Sequence, residues 1–223
     1  MDMNIENQKT FYDKYWQNSN PIGIYKMQRI LCIIKFIIFD LNDIRRESKV
    51  LDFGCGNGSF VSFLNELVLE AHGFDISENT IKAAKKKYPS LHFLSGDGRN
   101  STLKSNYYNI ILSQEVIEHI IPPETYIKEC SRILKSDGYL ILTTPNKYYF
   151  DRVKGGNYSK QPIENLFTID EIIKLLESEF SIIKVTTIIF SKGNYGIYKI
   201  LHNRFIFRFF LFLIYLKLIN HYY

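Results

Sequence analysis

The sequence predicts an α/β fold, doubly wound, with helices on both faces of a mostly parallel sheet. Two observations predict it. Short apolar runs alternate with helical patterns through the middle of the chain, the order that βαβ units produce. One of those runs leads straight into Gly54, Gly56 and Gly58, and a helical pattern follows at once, as at the ligand-binding turn of such sheets.

The elements follow in order. Residues 22–41 repeat apolar positions at helical spacing and predict a helix ahead of the sheet. Strands are expected at 49–53, 70–74, 91–94, 108–112 and 139–143, with helices at 59–69, 79–87 and 126–134 between them. Their crossovers should be right-handed. A further helix at 169–178 begins after Thr168, with Glu171 placed to complete a capping box. Residues 180–188 are rich in β-branched side chains and predict another strand. The expected organisation is a core at 48–190, lid and flanking helices at 1–47, and a basic aromatic extension at 191–223.

Size and composition fit one globular domain. The chain has 223 residues, 46% hydrophobic and 23% charged, with a net charge of +5, so bulk disorder is excluded. The charge is unevenly placed. No Asp or Glu follows Glu179, whereas Lys184, Lys192, Lys199, Arg204, Arg208 and Lys217 do. A near-neutral body with a basic tail argues against nucleic acid as a partner and for an anionic surface near the C-terminus. Cys32, Cys55 and Cys130 show no paired spacing and read as reduced thiols of a cytoplasmic protein. The N-terminus lacks the pattern of a secretory signal, and no apolar run is long enough to span a bilayer.

The glycine run carries the most information. In Asp52-Phe53-Gly54-Cys55-Gly56-Asn57-Gly58 the glycines allow a tight turn and close approach of a ligand to the backbone, and the following helix N-terminus favours an anionic group. The spacing is G-x-G-x-G, not the G-x-G-x-x-G of dinucleotide sites. Asp52 would repel a pyrophosphate and suits a ligand with a positive amino group. Asp75 lies about 20 residues beyond Gly54, the separation at which an acid meets ribose hydroxyls. It is followed by Ile76, and the same residues also suit a capping turn. Asp97 and Gly98 follow the third strand, where an adenine amino group is a plausible partner and a surface turn is the alternative.

Together these residues resemble the class I methyltransferase superfamily, over about residues 48–188. Asp52 to Gly58 looks like its first motif, Asp75 like the acidic end of its second strand, and Asp97 like its adenine-side acid. Lys135-Ser136-Asp137-Gly138-Tyr139-Leu140-Ile141-Leu142 looks like the segment leading into its fifth strand. The resemblance implies a Rossmann-like sheet of seven strands and bound S-adenosylmethionine. The methionine end of the cofactor would lie over Gly54, Cys55, Gly56 and Gly58, with the ribose on Asp75 and Ile76 and the adenine by Asp97 and Gly98. Ser113, just after the fourth strand, joins this cofactor set.

Beyond the fourth strand lies Ser113-Gln114-Glu115-Val116-Ile117-Glu118-His119, where a methyl acceptor should meet the cofactor. Its E-x-x-E-H pattern resembles the ubiquinone-biosynthesis O-methyltransferases and small-RNA 2′-O-methyltransferases, in the type 11 and type 23 methyltransferase domain group. Glu115, Glu118 and His119 are the candidate catalytic residues. Relatives that bind a divalent metal here supply a further histidine ahead of the segment matching Leu166-Phe167-Thr168. This chain has Gln161-Pro162-Ile163-Glu164-Asn165 there, and no metal ligand is assigned. The unperturbed pKa of histidine lies close to neutral, as a general base requires, which makes His119 the candidate base; metal binding and a purely structural role stay open.

The ends bear on specificity. For the aromatic run Phe11-Tyr12-Asp13-Lys14-Tyr15-Trp16 the resemblance implies a lid helix over cofactor and acceptor, and a surface helix docked by hydrophobic burial is the alternative. Residues 196–219 place Arg204 and Arg208 on one helical face beside an aromatic run, which fits peripheral contact with a membrane surface or packing on the body. The expected function is methyl transfer, by in-line displacement, to a small-molecule, sugar or lipid-linked acceptor, with O-methylation favoured by the E-x-x-E-H resemblance. A non-catalytic, membrane-associated regulatory protein that binds S-adenosylmethionine is the alternative. A nicotinamide-dependent enzyme is disfavoured by the glycine spacing and Asp52.

Overall fold

A computed structural model of the chain describes residues 5–17, 24–41, 47–67, 69–148, 151 and 164–186. The chain divides into two compact units, Met1–Ser19 with Glu47–Lys184 and Asn20–Arg46 with Val185–Tyr223.

In the first unit, helix α1 spans Ile5–Gln17. In the second, helix α2 spans Ile24–Lys35 and runs into a π-helical turn at Phe36–Asp40. Ile30, Ile33, Ile34 and Ile37 are buried there, the one-sided stripe that the apolar spacing predicts.

The rest of the first unit is a five-stranded sheet with interleaved helices. It comprises β1 Lys49–Phe53, α3 Ser59–Glu66, β2 Glu70–Asp75, α4 Glu78–Lys87, β3 His92–Ser95, β4 Tyr108–Gln114, α5 Pro123–Ile133, β5 Leu134–Thr143 and α6 Ile169–Leu176. The strand order is β3-β2-β1-β4-β5, and every pairing is parallel. The chain winds outward from β1 through β2 to β3, then returns to the other side of β1 to continue through β4. The winding reverses between β1 and β4, and the crevice beyond the carboxyl ends of those strands is where such folds bind ligands.

Local chemistry explains the element ends. Ser77 caps α4 by accepting from the Thr80 amide, and Lys85, Lys86 and Lys87 close its last turn, where cations complement the helix dipole. Pro123 opens α5, at a position where its missing N–H costs nothing. Thr168 and Glu171 form the expected capping box on α6. One core joins the layers, through Leu51, Phe53, Phe74, Ile111, Ile117, Tyr126 and Ile133. The Phe53 ring meets Phe74 at 5.1 Å and Tyr126 at 4.9 Å.

Two details differ from the sequence reading. The fifth strand begins at Leu134, not near Tyr139, because Leu134 pairs with Tyr108 ahead of an irregularity that restores the register at Ile110–Tyr139. Five strands are present among the described residues, against the seven expected. Residues 181–186 form no strand, and the rest of the expected strand at 180–188 lies outside the described residues. So do the side chain of Trp16 and the tail at 196–219. No helix among the described residues is long and apolar enough to cross a membrane.

Candidate active site

The turn after β1 is built by its glycines. Gly54, Gly56 and Gly58 have φ of 99°, 51° and 73°, in the left-handed region that penalises a Cβ. At Gly54 a Cβ would also lie 2.3 Å from Val116 Cγ2, so the turn presses directly on the segment after β4. Gly58 is the N-cap of α3. The amides of Gly54 and Cys55 bond to the Phe74 carbonyl at 2.8 and 3.0 Å, tying the loop to the end of β2.

The acids predicted from sequence gather around this turn. Asp52 is buried at the end of β1, and Gln114 at the end of β4 donates to it at 3.3 Å across the seam. Asp75 is buried at the end of β2. Its two carboxylate oxygens accept from the amides of Gly56 (2.8 Å) and Ser77 (2.9 Å). Burial pushes its pKa up, the amides of Ser77, Gly56 and Ile76 work against that, and nearby Asp13 adds to the rise. The carboxylate therefore shapes the glycine turn from below. A carboxylate has about four acceptor sites, so capacity for a hydroxyl donor remains beside these amides.

Asp97 stands beyond β3 in a different setting. Its Oδ1 accepts from the Arg99 backbone amide (2.9 Å) and Nε (3.0 Å), and its Oδ2 from Nε (3.1 Å) and Nη2 (2.8 Å). Burial raises its pKa, but the hydrogen bonds and charge of Arg99 prevail and hold it below the usual carboxylate range. Gly98 is packed tightly, since a Cβ there would meet Tyr126 at 3.2 Å and Phe53 at 3.3 Å.

Two predicted cofactor residues turn inward. Cys55 is buried, and burial pushes its thiol well above the ordinary value. Ser113 is fully buried and accepts from the Tyr126 hydroxyl at 2.9 Å. It braces the end of β4 against α5.

The segment after β4 carries the candidate catalytic groups. Glu115 takes φ of 55°, a strained conformation for a non-glycine residue. It lies outside the 3-10 turn Ile117–His119, so the three residues do not share one helical turn. The Glu115 carboxylate accepts from Thr143 Oγ1 and the Glu118 carboxylate from Thr144 Oγ1, both at 3.1 Å. Glu118 and His119 are buried, with Glu118 Oε1 at 3.7 Å from His119 Nε2. The amide of Asn165 donates to the Glu118 carbonyl at 2.7 Å. Among the described residues no group of three or more His, Cys, Asp or Glu side chains is arranged to hold a metal ion.

Helix α1 lies across this end of the sheet. Gln8 Nε2 donates to the His119 carbonyl at 2.9 Å, and the Tyr12 ring meets the His119 ring edge-on at 5.9 Å. Ser77 Oγ and Asn79 Nδ2 both donate to the Asp13 carboxylate. Burial, with Glu118 and Asp75 nearby, pushes the Tyr12 phenol far up. The aromatic run at 11–16 pointed to this helix. Gln8, Asp13 and the threonines after β5 carried no comparable sequence signal, because their roles depend on contacts with distant elements.

The methyltransferase domain family matches residues 51–142. The chain is 29% identical over 158 residues to a ubiquinone biosynthesis O-methyltransferase of Bradyrhizobium diazoefficiens, covering 64% of this chain and 62% of that one. It is 30% identical over 125 residues to a protein of the same name from Nitrosomonas europaea, covering 50% of this chain and 51% of that one. The matches thus span less than two thirds of the length of these curated relatives. A solved structure from Pyrococcus horikoshii superposes with a TM-score of 0.60 at 20% identity, over 74% of this chain and 88% of that one, which shows the fold.

Proposed function

With residues 51–142 forming a class I S-adenosylmethionine-dependent methyltransferase domain, we propose that the protein methylates a hydroxyl group of a small-molecule, sugar or lipid-linked acceptor. The observation that carries this reading is the buried Glu118–His119 pair at the carboxyl end of β4, beside the crevice where the winding reverses. Relatives named ubiquinone biosynthesis O-methyltransferases support oxygen as the methylated atom.

The residues suit the cofactor. Asp52 offers a buried carboxylate to an amino group, while the left-handed turn Gly54–Gly58 keeps side chains out of the way. Asp75 has acceptor capacity for ribose hydroxyls. The backbone of Asp97 and Gly98 borders the adenine side. The bound cofactor supplies an activated methyl group on a sulfonium leaving group. The protein contributes alignment, which is worth about 7–11 kcal/mol in favourable cases, and a place for the acceptor proton. His119 takes that proton, and the Glu118 carboxylate 3.7 Å away steadies the resulting imidazolium. Thr144 fixes the carboxylate, and Gln8 holds the His119 backbone.

The same proposal places the protein in the cytoplasm, with peripheral membrane contact through 196–219. This part is supported by the sequence alone, in the pairing of Arg204 and Arg208 with an aromatic run. The test is methyl transfer from labelled S-adenosylmethionine into a membrane-containing extract, followed by organic–aqueous partition. Label in the organic phase supports a lipid or quinone-like acceptor, and label in the aqueous phase a sugar or other metabolite. Cofactor binding without transfer would replace this reading with a non-catalytic, regulatory one.

A further inference from the structure

Arg99 joins two loops that the sequence gives no reason to connect. One follows β3 and borders the adenine side of the cleft. The other follows β4 and carries Glu118 and His119. The Arg99 guanidinium grips Asp97 through Nε and Nη2, and its Nη1 donates to the Ile121 carbonyl at 2.7 Å. Ile121 is two residues past His119. The Arg99 side chain thus has one end on each loop.

Three N–H groups of Arg99, its backbone amide, its Nη2 and an Nε shared between the two oxygens, take up most of the Asp97 carboxylate, which has about four lone-pair sites in all. Asp97 thus gives most of its acceptor capacity to Arg99. Its carboxylate is the anchor of Arg99. The loop after β3 is itself fixed to α5. Glu129 accepts from both the amide and the hydroxyl of Ser101. Arg132 pairs with Glu129 at 2.7 Å and donates to the Leu103 carbonyl at 2.8 Å. Arg99 therefore ties the loop after β4 to a part of the molecule that is already held.

We propose that Arg99 is a positioning residue for the His119 base: anchored on Asp97, it holds the backbone after His119 through the Ile121 carbonyl, so that the adenine side of the cleft and the base move as one body. The part of this that concerns catalysis rests on the proposed function above; the strap itself does not. A planar guanidinium can engage a carboxylate and a carbonyl together, whereas the single ammonium of lysine cannot hold both in the same geometry.

The test uses the full chain carrying Arg99→Lys, with Asp97→Asn as a second variant that removes the anchor and leaves the guanidinium. Folding is checked by circular dichroism. Amide exchange of residues 115–122 is then measured without cofactor, and the His119 ring resonance is followed by NMR. Both variants should speed exchange in that segment about tenfold, as expected for the loss of one charge-assisted hydrogen bond, and should shift the His119 resonance. Exchange within about twofold of the wild type, with the ring resonance unmoved, would overturn the proposal. So would a variant that loses affinity for S-adenosylhomocysteine while exchange at 115–122 stays unchanged, since Arg99 would then serve the cofactor directly. Failure of the wild-type chain to bind S-adenosylhomocysteine would sink the cofactor reading, and the cofactor-free exchange would still decide the role of Arg99.

Discussion

A methyl group on Gly58 has nowhere to go. Its Cβ would lie 2.6 Å from the Phe93 ring, at a φ of 73° that already disfavours any side chain. Strain of this kind costs about 1–3 kcal/mol. Gly58→Ala should therefore lower unfolding stability by about that amount, read by chemical denaturation, and should weaken S-adenosylmethionine binding in titration because α3 starts there. His119 answers to a different measurement. Its imidazole sits beside Glu118, with the Gln8 side chain on its own carbonyl. His119→Ala should slow methyl transfer by about 10²–10⁴-fold, the usual contribution of a general base, while cofactor affinity stays near that of the wild type. Turnover at the wild-type rate would remove His119 from the catalytic set. The sequence made Gly58 and His119 legible because each sits inside a local motif. It did not reveal that Ser113 turns into the core or that Asp97 is taken up by Arg99. The first depends on Tyr126, thirteen residues away, and the second on a side-chain conformation that no spacing rule encodes.

Among the elements, α6 shows how much a short pattern decides. Its capping box was readable as Thr168 and Glu171, and both bonds are made. Thr168→Ala should cost about 0.5–2 kcal/mol, the usual range for a lost N-cap, measured as a shift in the urea midpoint. Loss of activity without that shift would mean that Thr168 serves the site and not the helix. Strand β5 was half legible. Its apolar run at 139–143 announced itself, but the pairing of Leu134 with Tyr108 did not, because the polar turn residues between break the alternation. Helix α1 was visible as an aromatic run. What it covers was not, since nothing local joins Tyr12 to His119 more than a hundred residues along the chain.

Across the whole molecule, the ligand end of the sheet and its opposite end are chemically distinct. At the amino end, His72 stands between Glu70, His92 and Tyr108, with Lys49 bound to Glu70 and Tyr107. Burial lowers the His72 pKa, and His92 lowers it further. A histidine with a depressed folded pKa binds its proton more readily when unfolded. Its contribution to stability is therefore present above its ordinary pKa near 6.5 and is lost as pH falls towards the folded value. Stability measured by denaturation should decline as pH drops below that point, and His72→Gln should flatten the decline. An identical slope in the variant would assign the effect to other groups. The reversal of winding between β1 and β4 also has a consequence in time. Lys49 meets Glu70 across a separation of 21 residues but meets Asn109 across 60. Ring closure over the longer segment is entropically harder, and distant pairings set the pace of folding. The β1–β2–β3 half can assemble from neighbours, whereas the seam with β4 must wait for a remote partner. Asp52 and Gln114 face each other across that seam, so this pair should come together later in folding than the contacts of the β1–β2–β3 half.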